Sequence, residues 1–264
     1  MTLDTHRWRA PVAIAHRGSR VLWPENTMVS FAGAMGLGYR HLETDLHITS
    51  DGVLVCFHDD TVDRTTDGRG RVEDLSLTQV KGLDAGYRHQ TRHGFPFRGK
   101  GITVPTLEEV MASSPDVSVI VDLKSAGLAG PLVEMIEALE IHDRLIVGSF
   151  SDRRLAEFRG LTNGRVATST GPRAARAFVV ASRIGFGGNG PASALQLPTH
   201  RSGVRVVNRR LVDRAHRLGM QIHVWTVNTR SEMTRLLDMG VDGIITDRPD
   251  LLRTIMEERG EWAA

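Results

Sequence analysis

The chain has 264 residues, 41% of them hydrophobic, and a formal net charge of +2. That length supports one sizeable core, and a lone cysteine, Cys56, excludes an internal disulfide and favours a reducing compartment. The sequence pI of 9.0 reflects arginine, since Lys81, Lys100 and Lys124 are the only lysines, and no basic run of the kind that tracks nucleic acid is present.

The opening residues, MTLDTHRWRAPVAIAHRG, hold no apolar core of signal-peptide length. No run approaches the roughly 18 apolar residues of a membrane span, so a cytoplasmic protein with no integral membrane segment is expected. "PVAIAH" reads as a strand ending near His16. "NTMVSFAGAMGLG" then reads as a helix, with Asn26 as its expected cap and glycine as its stop. Glu25 is expected near the positive end of that helix. "YRHLETDLHI" alternates like a strand, and "VLVCFHD" follows the Asp51-Gly52 turn as a short extra strand. From about residue 60 to 105 the rhythm breaks into a charged, Gly-rich insertion, with a short helix opening at Ser76.

Alternation resumes with "TLEEVMAS", where Thr106 and Glu109 form a capping box. Strands follow at "VSVIVDLK", "RLIVGSF", "GRVATST", "SALQLP", "MQIHVWTVN" and "VDGIITD", mostly separated by helical segments. With the first two, these make eight main strands. The expected fold is therefore α/β, a TIM (β/α)8 barrel with a small insertion after strand 2, in one domain spanning 1–264. A doubly wound open sheet is the alternative. "GFGGNG" at Gly185–Gly190 formally matches a dinucleotide fingerprint but precedes a strand, so it reads as a loop.

In a TIM barrel, functional side chains project from the C-terminal strand ends, and here those ends are charged. Strand 1 ends in His16-Arg17, strand 2 carries Glu43 and Asp45, the extra strand leads to His58-Asp59, strand 3 ends in Asp122 and Lys124, and strand 7 holds Trp225. Glu43 and Asp45 are two apart and so share one face of a strand. Taken alone, that pair also fits the exposed face of an edge strand. Three carboxylates converging from neighbouring strands would suit a hard cation, Mg²⁺ or Ca²⁺, better than zinc. Cys56 reads as a small core residue, and His223 as a residue that lines the pocket or packs below it.

The pieces "AHRG", "PENT", "LETDLHITSDGVLVCFHDDTVDRTTDGRG", "VPTLEEV", "VDLKS", "VWTVN" and "GIITDRPD" resemble, in order and spacing, the glycerophosphodiester phosphodiesterases. The resemblance runs from about Ala13 to Leu251. It implies a metal-dependent hydrolase that converts glycerophosphodiesters to sn-glycerol 3-phosphate and an alcohol. It assigns His16 and His58 to acid–base catalysis, Arg17, Lys124 and Trp225 to substrate binding, and Glu43, Asp45 and Asp122 to the metal. Asp122 departs from the family's usual glutamate and is one methylene shorter. A related lysophospholipase D chemistry on lysolipids would need an apolar groove, for which the insertion offers Phe95 and Phe97. A binding module that had lost catalysis would lack a histidine or the carboxylate pair, and both are present.

Overall fold

The computed structural model describes residues 8–184, 192–201 and 203–262; the Gly185–Gly190 run lies outside them. Short, β-branched, apolar segments form the strands, and each is followed by a segment with a helical apolar stripe. In chain order the elements are β1 (Val12–His16), α1 (Met28–Gly36), β2 (His41–Ile48), β3 (Leu54–Cys56), α2 (Leu77–Lys81), α3 (Leu107–Ala112), β4 (Ser118–Leu123), α4 (Ala129–Leu139), β5 (Leu145–Gly148), α5 (Asp152–Leu161) and β6 (Ala167–Thr168). They continue with α6 (Pro172–Ile184), β7 (Ala194–Pro198), β8 (His200–Arg201), β9 (Val204–Arg205), α7 (Arg209–Arg217), β10 (Gln221–Trp225), α8 (Arg230–Asp238), β11 (Gly243–Thr246) and α9 (Pro249–Glu258).

Eight parallel strands run in the order β6-β5-β4-β2-β1-β11-β10-β7. A parallel bridge between Ser169 and Ala194 joins the two ends of that path and closes the barrel. The extra strand β3 pairs antiparallel with the end of β2, and β8 with β9 forms a separate hairpin. No helix among the described residues is long and apolar enough to cross a membrane.

Alternation along the strands sorts side chains into two layers. Val12, Ile14, Ile120, Ile146 and Ile245 fill the barrel with Trp8, which is fully buried at its floor. Leu42, Leu46, Val119 and Val121 point outward against Phe31, Leu107 and Leu132 of the helices. Burial explains His223, which lies beside Trp8 at 6.2 Å between ring centroids, below the pocket. Loss of hydration holds its imidazole neutral, with a pKa pushed down to about 3. Cys56 is fully buried, and burial pushes its thiol up to about 12.

The insertion does not dissolve into loop. Val55, Phe57, Val62, Val72, Val80, Ala85, Ile102 and Val104 make a third apolar cluster of their own, so the charged composition conceals a small core. Two short 3-10 turns and α2 carry it, and α2 is capped by Ser76 as expected. Thr106 and Glu109 likewise form their capping box on α3.

One expected cap is corrected. Thr27, not Asn26, caps α1: its hydroxyl accepts from the Ser30 amide, while Ser30 Oγ accepts from the Thr27 amide. Asn26 sits one residue too early and adopts φ 53°, outside the extended backbone an N-cap uses. The helix stops at Gly38, which takes φ 87°. Thr27→Ala should lower stability by about 1 kcal/mol, read as an earlier midpoint in urea at an unchanged slope.

Candidate active site

The backbone after β1 makes the first part of the site. Arg17 and Gly18 both adopt positive φ, 53° and 78°, and fold the chain back over the barrel mouth. A Cβ on Gly18 would lie 2.6 Å from the Ser30 carbonyl carbon, so only glycine fits against α1. The Arg17 carbonyl accepts from the Asn26 amide and from Ser30 Oγ, which pins the loop.

Strand register then gathers the side chains. His16 pairs in register with Glu43, and Asp45 with Asp122. Glu43, Asp45 and Asp122 are all buried, and with His16, Arg17, His58, Lys124 and Trp225 they line one cavity of about 1100 Å³ at the C-terminal mouth of the barrel. The eight residues assigned to catalysis, substrate and metal therefore face the same space. Glu43 and Asp45 do so on the inner face, opposite Leu42 and Leu46.

Both histidines are held by aspartates. His16 Nδ1 lies 2.7 Å from Asp247 Oδ1, and its Nε2 lies 3.8 Å from Glu43 Oε2. His58 Nδ1 lies 2.5 Å from Asp59 Oδ1. Donation of Nδ1–H to a carboxylate leaves Nε2 as the free ring nitrogen. Burial lowers the His16 pKa, but Glu43 and the Asp247 hydrogen bond outweigh it and the net value is raised.

The acidic groups are unequal. Burial and the neighbouring Asp45 charge raise Glu43, while His16, Arg17 and Lys124 only partly offset this. Burial would raise Asp45 too, but Arg17 Nε at 2.9 Å and Lys124 Nζ at 2.7 Å hold it below the ordinary value. Burial raises Asp122 despite Lys124 Nζ at 2.7 Å from its Oδ2. Asn26 Nδ2 also donates to Asp45 at 3.2 Å, and Thr44 Oγ1 to Asn26 Oδ1 at 2.8 Å. Asn26 thus orients a site carboxylate. Glu25, expected near the helix end, instead receives Arg17 at 2.8 Å and Arg64 at 2.7 Å.

The donor set fits a hard cation. Three carboxylates from two adjacent strands face the cavity, and Asp122 Oδ1 is buried without a hydrogen-bond partner. Two of the three carry raised pKa values, because burial outweighs the positive charge beside them. Lys124 now lies between Asp45 and Asp122, and among the described residues no three His, Cys, Asp or Glu side chains already converge on one point at liganding distance.

Several functional candidates had no sequence signal as single residues. Asp247 follows β11 and receives His16, Arg20 Nε at 2.8 Å and Asn228 Nδ2 at 2.9 Å. Its place in "GIITD", at a strand end, is the cue that marks it. Arg64 reaches from the insertion to Asp59 and to Glu25. On the cavity wall, Gln196 Nε2 and Thr170 Oγ1 are buried without partners, two further polar groups available to a ligand.

With this geometry in hand, comparison with known proteins gives a consistent result. The sequence signature of the Glycerophosphoryl diester phosphodiesterase family matches residues 16–251. The chain is 37% identical to the "Probable glycerophosphodiester phosphodiesterase 2" of Mycobacterium tuberculosis, over 99% of this chain and 96% of that one. It is 33% identical to the glycerophosphodiester phosphodiesterase of Caldanaerobacter subterraneus, over 94% and 99%. Among solved structures, an Oleispira antarctica phosphodiesterase in complex with the product sn-glycerol-3-phosphate aligns with a TM-score of 0.74 at 25% identity, covering 94% of this chain and 97% of that one.

Asp247 yields a pH-dependent prediction. Its side chain is buried, and although burial alone would raise its pKa, His16, Arg20 and Asn228 bring it down to about 2. The folded value lies below the usual one near ~4, so its stabilisation is present above about pH 4 and is lost as pH falls toward about 2. Asp247→Asn should therefore be less stable than the parent by about 2 kcal/mol at neutral pH. Denaturant titrations at descending pH should show that difference closing.

Proposed function

Because the chain belongs to the glycerophosphoryl diester phosphodiesterase family, we propose that it hydrolyses glycerophosphodiesters to sn-glycerol 3-phosphate and an alcohol, with His16 and His58 exchanging the protons. The observation that carries this reading is the pair of aspartate-oriented imidazoles on one cavity wall beside three buried carboxylates and two cations. The Oleispira antarctica relative, crystallised with the product sn-glycerol-3-phosphate, supports the substrate class. Residues 1–264 act as one catalytic domain, since Arg64 ties the insertion to Asp59 and Glu25, the partners of His58 and Arg17.

A phosphodiester is anionic and repels nucleophiles, so the site must neutralise charge before a bond can break. Arg17 offers a planar guanidinium to the phosphoryl oxygens, and Lys124 adds a compact charge. Trp225, packed edge-on to Phe150 at 5.7 Å between centroids, walls the substrate side. One imidazole takes the proton of the attacking hydroxyl or water, and the other returns a proton to the departing alkoxide. Asp247 and Asp59 keep each ring in the required tautomer and stabilise it when it is charged, and Asn26 holds Asp45 in place. Glu43, Asp45 and Asp122 would hold a divalent ion, Mg²⁺ or Ca²⁺, which when bound supplies Lewis-acid polarisation of a phosphoryl oxygen.

A second reading, lysophospholipase D-type cleavage of lysolipids, draws support from the cavity and not from the insertion. Phe95 and Phe97 are absent from the cavity wall, but Val179, Leu197 and Val206 contribute apolar groups to it. Both substrates would use the same imidazoles.

Glycerophosphocholine and glycerophosphoethanolamine should each release sn-glycerol 3-phosphate, measured by a coupled dehydrogenase assay. Chelation should abolish the signal, and Mg²⁺ or Ca²⁺ should restore it. His16→Ala and His58→Ala should fold normally yet lose about 10²- to 10⁴-fold in kcat; substantial turnover by either variant would remove that histidine from its role. Glu43→Ala should raise the metal concentration needed for half activity.

A further inference from the structure

The outer half of the cavity differs from the inner half. Past Phe150 and Trp225 its wall is built by α6 and the β8–β9 hairpin, and among the described residues it contains Arg176, Val180, His200, Arg201, Val204 and Arg205 but no acidic residue. Phe150, Val180 and Val204 are 66%, 59% and 58% exposed, and they rank among the large apolar side chains most open to water in the described chain. Arg176 and Val180 are four apart on α6, so they share one face of the helix. On the hairpin Arg201 and Val204 are cross-strand partners, as are His200 and Arg205. Among the described residues, neither Arg176 nor Arg201 has an ion-pair partner. Glu232 feels the charges of His200 and Arg205 but is itself paired with Arg235 at 2.5 Å.

We infer that this rim, formed by α6 and the β8–β9 hairpin, docks on an anionic lipid surface with the barrel mouth facing the bilayer. Arginines that lack acidic partners complement a negative surface, and each basic side chain near such a surface strengthens binding severalfold. The exposed Val180 and Val204 distinguish a bilayer from a polyanion such as RNA. Aliphatic side chains gain by entering the headgroup–acyl boundary, whereas single-stranded nucleic acid is held by charge together with stacking on aromatic rings. The patch is continuous with the catalytic cavity, so docking brings the site to the place where phosphodiesters derived from lipids arise. This inference rests on the phosphodiesterase reading for its purpose but not for its test, because binding needs no turnover.

The test is co-sedimentation of the full chain with vesicles of phosphatidylcholine alone or phosphatidylcholine mixed with phosphatidylglycerol. Binding is expected on the mixed vesicles, weakening as salt rises, and absent on the neutral ones. The triple variant Arg176→Gln, Arg201→Gln, Arg205→Gln should bind about a hundredfold more weakly, at roughly fivefold per arginine. The uncharged pair Val180→Asn, Val204→Asn should also weaken binding, which a purely electrostatic contact would not do. Both variants should keep the wild-type far-UV circular dichroism and thermal midpoint, which verifies folding. Equal binding to neutral vesicles, full binding by either variant, or tighter binding to single-stranded RNA than to mixed vesicles would each overturn the inference. Loss of turnover in the wild type with vesicle binding intact would overturn the phosphodiesterase reading alone.

Discussion

Parallel pairing of β1 with β2 on one side and β11 on the other is the constraint on which the site depends. Backbone hydrogen bonds set Ala15 opposite Thr246 and His16 opposite Glu43. Those two registers place one imidazole between an aspartate just past β11 and a glutamate inside β2 without any loop having to find its position. Main-chain pairing of this kind is rigid, and it costs the protein no side-chain ordering at the moment a ligand binds. The Arg17-Gly18 turn can then be tight, because its start is fixed by the strand and its carbonyl is fastened by Asn26 and Ser30.

Charge is the second organising element. Burying Glu43, Asp45 and Asp122 together is unfavourable unless positive charge is brought in with them. Arg17 and Lys124 supply part of it, and their effect is visible in Asp45, which is held ionised, while Glu43 and Asp122 are pushed toward protonation. An interior that leaves two acids under-compensated is a poor structural core and a good receptor for further positive charge. The same reasoning separates this cluster from His223, which packs against Trp8 and is neutral because burial and the nearby His41 disfavour the charged form.

The barrel was legible in the sequence because short β-branched runs alternate with capped helical segments, and because charged residues recur where strands should end. His16, Arg17, Glu43, Asp45, His58, Asp122, Lys124 and Trp225 all announced themselves in that way. Asp247 also ends a strand, but its role was hidden because its partner His16 lies 231 positions away and only barrel closure brings them together. Asn26 was misread because local capping rules favour either Asn or Thr at the start of a helix, and the choice depends on the backbone angles that the Arg17 turn imposes. Arg64 was hidden in a charged stretch where one more arginine carries no local signal. The core of the insertion escaped because its valines are spread over fifty positions without helical or strand period.

That independent core gives the insertion an identity of its own. Its apolar groups pack mainly on one another, with Val55 of β3 and Val29 of α1 as the ties to the barrel. The segment can be lengthened, shortened or exchanged as a cassette, provided that the reach of Arg64 toward Asp59 and Glu25 is kept. Because none of residues 60–105 is on the wall of the cavity, such changes would leave the reacting groups where the staves hold them.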